Sequence, residues 1–349
     1  MFNFIKAKDM GIDLGTANTL IYIKDEGIVL EEPSVIAVRN YTGEILAVGH
    51  NAKLMLGKAH DGISVIRPLE EGVISDFDRT ADMLKAFIER AAGQKRVANF
   101  NVSIGVPSGV TEVEKRAVEE TVMNMGAAEV FILEEPMAAA IGVGLDVDGS
   151  DGCMIADIGG GTTDIAVIAL GGIVASTSIR YAGDKFNEAI IEYMRKRHTL
   201  FIGTKTAEQL KINIGCAALD EDESGKEIIN TMDASGRDLI SGLPRTIQVT
   251  NKDMMVALEE SVDVIVDGIK DTIEKTPPEI AADIATSGLV LSGGGGRLYN
   301  LDKVIFERTG MKAQVAENSF EAVAKGAGES LDDIEKLRIH CMGKKKLGY

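Results

Sequence analysis

Short apolar segments alternate along this chain with amphipathic stretches, which is the pattern of an α/β layer protein. The first half is predicted to begin with a hairpin over 10–38, a less regular segment over 43–74, a helix over 78–92 and a strand over 101–107. A helix follows that begins with a capping box of Thr111 and Glu114 and ends at Gly126, and then a strand that leads into Pro136. This succession of strands and helices predicts helices packed on a sheet.

The second half repeats the plan after a polar joint over 146–152. It begins with a hairpin, a third strand over 172–180, a helix over 184–196, and a helix from Thr206 to Gly215 with Thr206 and Gln209 as its capping box. An insert over 219–250 follows, which is first acidic and then β-rich, with turn signals at 233–237. The last elements are a long helix over 252–274 that Pro277 and Pro278 end, an apolar strand, four glycines and a helix from about Leu301.

One hairpin pattern occurs twice in the chain, at a constant offset of 144 residues. The segment GIDLGTANTLIYIKDEGIV contains Asp13, and IADIGGGTTDIAVIALGGIV contains Asp157. At that offset Asp13 aligns with Asp157 and Gly15 aligns with Gly159. The shared register predicts two related half-molecules.

Each copy has the residue types of a phosphate-binding turn. An apolar strand ends in one aspartate, turns through glycine and small hydroxylic residues, and returns as an alternating strand. Backbone N–H groups gather in such a turn, and glycine allows a phosphate to approach closely. Two facing turns would hold a polyphosphate from both sides, with Asp13 and Asp157 binding Mg²⁺ through water. A single turn of this kind is usually structural, so the duplication carries this prediction.

Composition excludes several other classes of protein. The chain has 349 residues, 45% of them apolar and 26% charged, and a net charge of −17, which argues against a general nucleic-acid binder. No apolar stretch is long enough for a transmembrane helix, and the N-terminus has no secretory signal pattern. Three separated cysteines predict reduced thiols in a cytoplasmic protein, and four scattered histidines give no zinc-ligand spacing.

A glycine run over 293–296 follows a strongly apolar strand and precedes a helix. It can be a flexible link, but N–H groups that gather at such a position also suit an anion or a purine edge. Ligands of open α/β sheets bind at the carboxyl ends of the strands, which favours a nucleotide contact here.

The segments DLGTANT, LEEPMAAAIG, DIGGGTTD, TAEQLK and LSGGGG, in this order, resemble the actin-like ATPases and, within them, the MreB family of bacterial actin homologues. The resemblance runs from Gly11 to about Leu331. It implies an actin-like fold, in which duplicated ribonuclease-H-like domains flank a nucleotide cleft and each carries a smaller subdomain. The implied subdomains are IA (1–32, 66–145 and about 312–349), IB (33–65), IIA (146–182 and 246–311) and IIB (183–245).

The same resemblance implies a role for each site residue. The implied contacts of ATP are a first phosphate loop of Asp13, Gly15, Thr16, Ala17 and Asn18, a second of Asp157, Gly159, Gly160, Gly161 and Thr162, and an adenosine side of Glu208, Lys211, Gly293, Gly294 and Gly295. Glu135 matches the residue that orients the attacking water, and Thr162 assists near the γ-phosphate. Adjacent strand residues point in opposite directions, so Glu134 is the lesser candidate. Arg297 departs from the family pattern.

The resemblance also implies partners. ATP-driven double filaments on the inner face of the cytoplasmic membrane would act with cell-shape machinery or adaptor proteins. Membrane contact is predicted through Phe2, Phe4 and Ile5 and through the loop from Val97 to Phe100, although so short a segment binds weakly without the avidity of a polymer. The alternative is a frayed terminus and a loop whose Phe100 points inward. The alternative function is a small-molecule kinase of the same superfamily.

Overall fold

Two five-stranded sheets with the same strand order form the framework of the protein, in a computed structural model that describes residues 8–93 and 99–342. The first half contains β1 (Met10–Leu14), β2 (Asn18–Ile23), β3 (Gly27–Pro33), β4 (Ile36–Arg39), β5 (Ile45–Val48), α1 (His50–Lys53), β6 (Ile63–Ile66), β7 (Leu69–Glu70), β8 (Val73–Ile74), α2 (Phe77–Ala91), β9 (Asn101–Val106), α3 (Glu112–Asn124), β10 (Glu129–Glu134) and α4 (Glu135–Gly142).

The second half has the matching strands and a longer set of helices. It contains β11 (Cys153–Ile158), β12 (Thr163–Ala169), β13 (Gly172–Ile179), α5 (Gly183–His198), β14 (Leu200–Phe201), α6 (Thr204–Ile214), β15 (Thr231–Asp238), β16 (Pro244–Thr250), α7 (Asn251–Glu274), α8 (Pro278–Ser287), β17 (Leu289–Ser292), a 3₁₀ turn (Gly295–Arg297), α9 (Leu301–Thr309), β18 (Ala313–Val315), α10 (Ala322–Ser330) and α11 (Ile334–Met342).

The sheet topology confirms the predicted duplication. The first sheet has the order β10-β9-β1-β2-β3 and the second has the order β18-β17-β11-β12-β13. In each, the first three strands in the sequence pair antiparallel and the last two join in parallel. Asp13 pairs with Leu20, and at the same offset Asp157 pairs with Asp164. The two hairpins therefore share one register.

Each sheet belongs to a lobe, and each lobe carries a small three-stranded sheet. In the first lobe this sheet is β5-β4-β6, and in the second it is β14-β15-β16. Helices α10 and α11 return to the first lobe, where α10 packs on β1, β9 and α4. The exact bounds of the four subdomains stay a prediction.

Helices α4 and α10 cross at very small residues between the lobes. A Cβ on Gly326 would stand 1.8 Å from the carbonyl oxygen of Ala138, and one on Gly142 would stand 2.0 Å from that of Ala322. Buried side chains of this region, including Ile155 of the second lobe, form one apolar cluster with α4 and α10. The crossing therefore joins the two lobes.

Several local predictions are wrong. Helix α6 begins at Thr204 with Gly203 as its N-cap, so Thr206 and Gln209 form no capping box there. The turn signals at 233–237 lie inside strand β15. Pro278 begins a further helix, α8, since proline suits the first turn, where N–H groups have no intrahelical partner.

Other predicted boundaries are confirmed. Thr111 and Glu114 form the capping box of α3, and Gly126, two residues past that helix, has a φ of 105°. The long helix α7 ends at Glu274, close to the predicted position, and it begins with a second capping box formed by Thr250 and Asp253. By contrast, the prediction of a less regular segment over 43–74 is wrong, since that segment contains β5, α1, β6, β7 and β8.

Candidate active site

A cavity of about 1010 Å³ lies between the two lobes. The residues assigned to ATP binding and to hydrolysis all line it: Asp13, Gly15, Thr16, Ala17, Asn18, Glu135, Asp157, Gly159, Gly160, Gly161, Thr162, Glu208, Lys211, Gly293, Gly294 and Gly295. The fold therefore brings together segments that are far apart in the sequence.

The first turn, between β1 and β2, is stabilised by hydrogen bonds that involve side-chain hydroxyls. Ser34 donates its hydroxyl to the carbonyl of Gly15 at 2.6 Å and its N–H to that of Ala17 at 3.0 Å. The N–H of Gly72 donates to the hydroxyl of Thr16 at 3.1 Å. These bonds fix the turn before any ligand binds.

The second turn, between β11 and β12, is fixed by backbone hydrogen bonds. The N–H of Gly159 donates to the carbonyl of Thr162 at 2.9 Å, which closes the turn. Helix α5 begins directly beside it, since the N–H groups of Gly183 and Asp184 donate to the carbonyls of Gly159 (3.1 Å) and Gly160 (2.8 Å). The two turns face each other closely: a Cβ on Gly161 would lie 2.7 Å from the Thr16 hydroxyl oxygen.

Buried carboxylates crowd the cavity behind the two turns. Burial, and then the charge of Asp157, raises the pKa of Asp13 to about 8. Burial raises the pKa of Asp157 to about 7, although the hydroxyl of Ser292 donates to its Oδ1 at 2.7 Å. Burial, and then the charges of Asp164, Asp13 and Asp157, raise the pKa of Glu135 well above its usual value.

This concentration of acidic groups fits a divalent cation and its phosphate ligand. Two aspartates that repel each other in a buried site are stabilised by a bound cation, and Mg²⁺ accepts one or two carboxylates together with water and phosphate oxygens. Among the described residues no group of three or more His, Cys, Asp or Glu side chains is arranged to hold a metal ion by itself.

Glu135 reaches the cavity because it is the first residue of α4, directly after strand β10. Only 5% of its surface is exposed. Glu134 precedes it as the N-cap residue and is not part of the cavity lining. The structure thus places the two neighbouring acids differently, with Glu135 toward the cleft.

The opposite end of the cavity is formed by α6 and the glycine run. Lys211 donates its ammonium group to the carbonyl of Gly183 at 2.8 Å, and burial lowers the pKa of this lysine. Gly293 follows β17 with a φ of 75°, and a Cβ there would lie 2.3 Å from the carbonyl oxygen of Ile158. Arg297, at the end of the 3₁₀ turn, also lines the cavity.

Ion pairs connect the two lobes across the mouth of the cavity. They join the first lobe to α5 and α6 of the second: Lys53 with Glu208 at 3.4 Å, Arg67 with Asp184 at 3.0 Å and Glu71 with Lys185 at 3.4 Å. Sequence patterns gave no sign of these pairs, because each joins residues more than a hundred positions apart.

The membrane prediction is partly wrong. Phe100 is 1% exposed and belongs to the apolar core of the first lobe, so it cannot contact a membrane surface. Phe2, Phe4, Ile5 and Val97 lie outside the described residues. No described helix has the length and apolar character needed to cross a bilayer, and the three cysteines are free.

Comparisons with known proteins agree with this architecture. The family model described as MreB/Mbl protein matches residues 7–339. The cell shape-determining protein Mbl of Bacillus subtilis is 46% identical over 95% of this chain and 98% of its own length, and the cell shape-determining protein MreB of Escherichia coli is 45% identical over 96% of each.

Solved structures show the same fold. MreB5 of Spiroplasma citri bound to AMPPNP is 37% identical, with a TM-score of 0.87 over 94% of this chain and 96% of that one. The MamK double helical filament is 21% identical, with a TM-score of 0.76 over 93% of this chain and 98% of that one, a likeness of fold alone. The predicted actin-like fold is thereby confirmed.

Proposed function

The chain belongs to the MreB/Mbl protein family, and we propose that it binds and hydrolyses ATP and assembles into cytoskeletal filaments that govern cell shape. Relatives solved with AMPPNP and with ADP support the nucleotide, and the names of the curated relatives support the role in cell shape. The observation that carries the proposal is the pair of matching turns, Thr16–Ala17 and Gly160–Gly161, that meet across one cavity with Asp13 and Asp157 behind them.

The chain's own groups would divide the work of hydrolysis. N–H groups of the two turns bind phosphate oxygens, and the Asp13 and Asp157 carboxylates hold hydrated Mg²⁺, which supplies positive charge beside those oxygens when bound. Glu135, in its ionised form, orients and polarises the attacking water, while Thr162 assists near the γ-phosphate. Glu208, Lys211 and the glycines 293–295 contact the adenosine.

Turnover is proposed to be slow in the monomer and coupled to assembly. Glu135 and Thr162 belong to different lobes, so their separation depends on how the lobes are arranged. Filament contacts that favour one arrangement of the lobes would assemble the site and raise the rate.

The filaments are proposed to be double, cytoplasmic and attached to the inner face of the membrane through Phe2, Phe4 and Ile5, where they would meet cell-shape machinery or adaptor proteins. Replacing Phe2 and Phe4 together by Ala should reduce sedimentation with anionic liposomes and leave phosphate release unchanged. Equal liposome binding by this variant and the parent chain would remove the N-terminus from that role.

The small-molecule kinase is not favoured. A kinase needs a base that faces a bound hydroxyl group, whereas Asp13, Glu135 and Asp157, which line this cavity, are assigned to Mg²⁺ and to the attacking water. Phosphate transfer to an added sugar or acetate would decide for the kinase.

The test of the proposed function combines sedimentation with phosphate release. With Mg-ATP the chain should pellet on anionic liposomes and release phosphate, and Glu135→Ala should keep nucleotide binding and pelleting but lose most of the hydrolysis. Glu259→Ala, which replaces an exposed residue of α7 outside the cavity lining, is the matched control. Unchanged phosphate release by Glu135→Ala would remove Glu135 from its assigned role, and a chain that neither binds ATP nor pellets would overturn the function.

A further inference from the structure

Asp164 breaks the duplication of the two hairpins. Its counterpart in the first copy is Leu20, since Asp13 pairs with Leu20 and Asp157 pairs with Asp164 in the same register. Leu20 is 1% exposed and Asp164 is 0% exposed. A completely buried carboxylate costs free energy unless it is hydrogen bonded, and the first copy folds with a leucine at this position. The strand itself therefore does not require the acid.

One hydrogen bond of Asp164 crosses between the lobes, while the side chains of Ser178 and Thr162 interact with the same carboxyl group from its own lobe. Its Oδ1 accepts the N–H of Ser108 at 3.0 Å, and Ser108 follows the end of β9 in the first lobe. The same turn packs on the neighbouring strand of the second lobe, because a Cβ on Gly109 would lie 3.8 Å from the hydroxyl of Ser178, which pairs with Asp164. A turn of one lobe is thus attached to the hairpin of the other.

This attachment lies between the two groups assigned to hydrolysis. Asp164 is two residues after Thr162 on the second turn. It is also the charged group with the largest effect on Glu135, after burial, so the two carboxylates are neighbours. Ser108 belongs to the same lobe as Glu135. The hydrogen bond therefore spans from the Thr162 side of the cavity to the Glu135 side.

We propose that Asp164 is a positioning residue. By accepting a hydrogen bond from the Ser108 N–H of the other lobe, it fixes the distance between Glu135 and Thr162. The inference deepens the proposed ATPase function and rests on it. It assigns to Asp164 no contact with the nucleotide. Loss of the hydrogen bond should impair hydrolysis and leave the affinity for ATP nearly unchanged.

Two substitutions separate the hydrogen bond from the charge. Asp164→Leu installs the residue that occupies the equivalent position of the first hairpin, and it removes the acceptor. Asp164→Asn keeps an oxygen that accepts the Ser108 N–H. Because a displacement of about 1 Å in a reacting group can cost about 100-fold, we expect kcat to fall about 100-fold in Asp164→Leu. KM should change less than about threefold, and Asp164→Asn should restore most of the rate, since a neutral bond is about half as strong as a charge-assisted one.

Two further measurements make the outcome independent of folding and of ATPase activity. The stoichiometry of nucleotide binding reports the fraction of active sites, so a poorly folded variant is recognised. Hydrogen exchange of the Ser108 amide reports the bond directly and needs no hydrolysis. Asp267→Asn, an exposed carboxylate on α7 that pairs with Lys270, is the control with unchanged values.

The results distinguish this inference from the proposed function. The inference is supported if the Ser108 amide exchanges fast in Asp164→Leu and stays protected in Asp164→Asn, and if kcat falls only in the leucine variant. Unchanged exchange in Asp164→Leu, or an unchanged kcat, overturns it. If the parent chain releases no phosphate while exchange still responds to Asp164→Leu, the ATPase proposal fails and the hydrogen bond between the lobes stands.

Discussion

Gly160 and Ala17 touch across the cleft so closely that a Cβ on Gly160 would lie 2.4 Å from the Cβ of Ala17. Real Cβ atoms essentially never approach so closely, so only glycine permits this contact. The two phosphate turns therefore support each other directly, and each depends on the exact shape of the other.

Gly160→Ala should weaken ATP binding because the added methyl group pushes the turns apart. Overpacking of this kind costs about 1 to 3 kcal/mol, which corresponds to a loss of about 5-fold to 150-fold in affinity. Equilibrium titration with a fluorescent ATP analogue measures the effect. Gly172→Ala is the control, since its nearest non-neighbouring atom would be 3.9 Å away. Equal affinities for Gly160→Ala and the control would show that the turns move apart freely.

The stability of the nucleotide-free protein should fall as the pH rises. Asp13 and Asp157 have pKa values of about 8 and about 7 in the folded protein, against 3.8 for the ordinary carboxyl group. Between pH 4 and 8 the folded state therefore binds more protons than the unfolded state, and the free energy of unfolding decreases with pH.

Urea denaturation in EDTA at pH 5.5 and pH 8.5 measures this dependence. Asp13→Asn should reduce it, because one of the carboxyl groups with a raised pKa is removed. Mg-ATP should restore stability most strongly at the higher pH, where both carboxylates are ionised and available to a cation. A free energy of unfolding that stays constant over this range would contradict the burial of two protonated acids.

Arg67→Ala should accelerate release of the nucleotide. Arg67 pairs with Asp184 across the mouth of the cleft at 3.0 Å, and both side chains are about one-third exposed. Exposed pairs contribute about 0.2 to 1 kcal/mol, so the dissociation rate should rise by at most about fivefold, and less at high salt. Stopped-flow displacement measures the rate. Arg116→Ala, which removes a pair within α3, should leave it unchanged.

Gly326→Ala should destabilise the whole protein. Its Cβ would stand 1.8 Å from the carbonyl oxygen of Ala138, at the crossing of α4 and α10 that joins the lobes. Backbone atoms cannot rotate away as a side chain can, so we expect a loss at the upper end of overpacking, about 3 kcal/mol. Urea denaturation compares this variant with Gly172→Ala. A loss below 1 kcal/mol in Gly326→Ala would mean that the helices separate easily.

Features that depend on neighbouring residues could be predicted from the amino-acid sequence. The repeated hairpin predicted that Asp13 and Asp157 occupy equivalent positions, and in the structure each is the last but one residue of its strand, in the same register. The capping box of Thr111 and Glu114 is likewise formed as predicted, since a helix start depends on a few adjacent side chains. Segments that carried the family resemblance all line one cavity, although their contacts with the nucleotide stay predictions.

Features that depend on distant partners became visible in the folded chain. The hydrogen bond of Asp164 to Ser108 and the contact of Gly326 with Ala138 join positions that no local pattern connects. The sequence left Phe100 with two predicted positions, at the membrane or pointing inward, and the structure buries it in the apolar core of the first lobe. Burial depends on which distant segments pack against a residue and not on its neighbours in the chain. Local chemistry therefore defined the two phosphate turns, and long-range packing decided how they face each other.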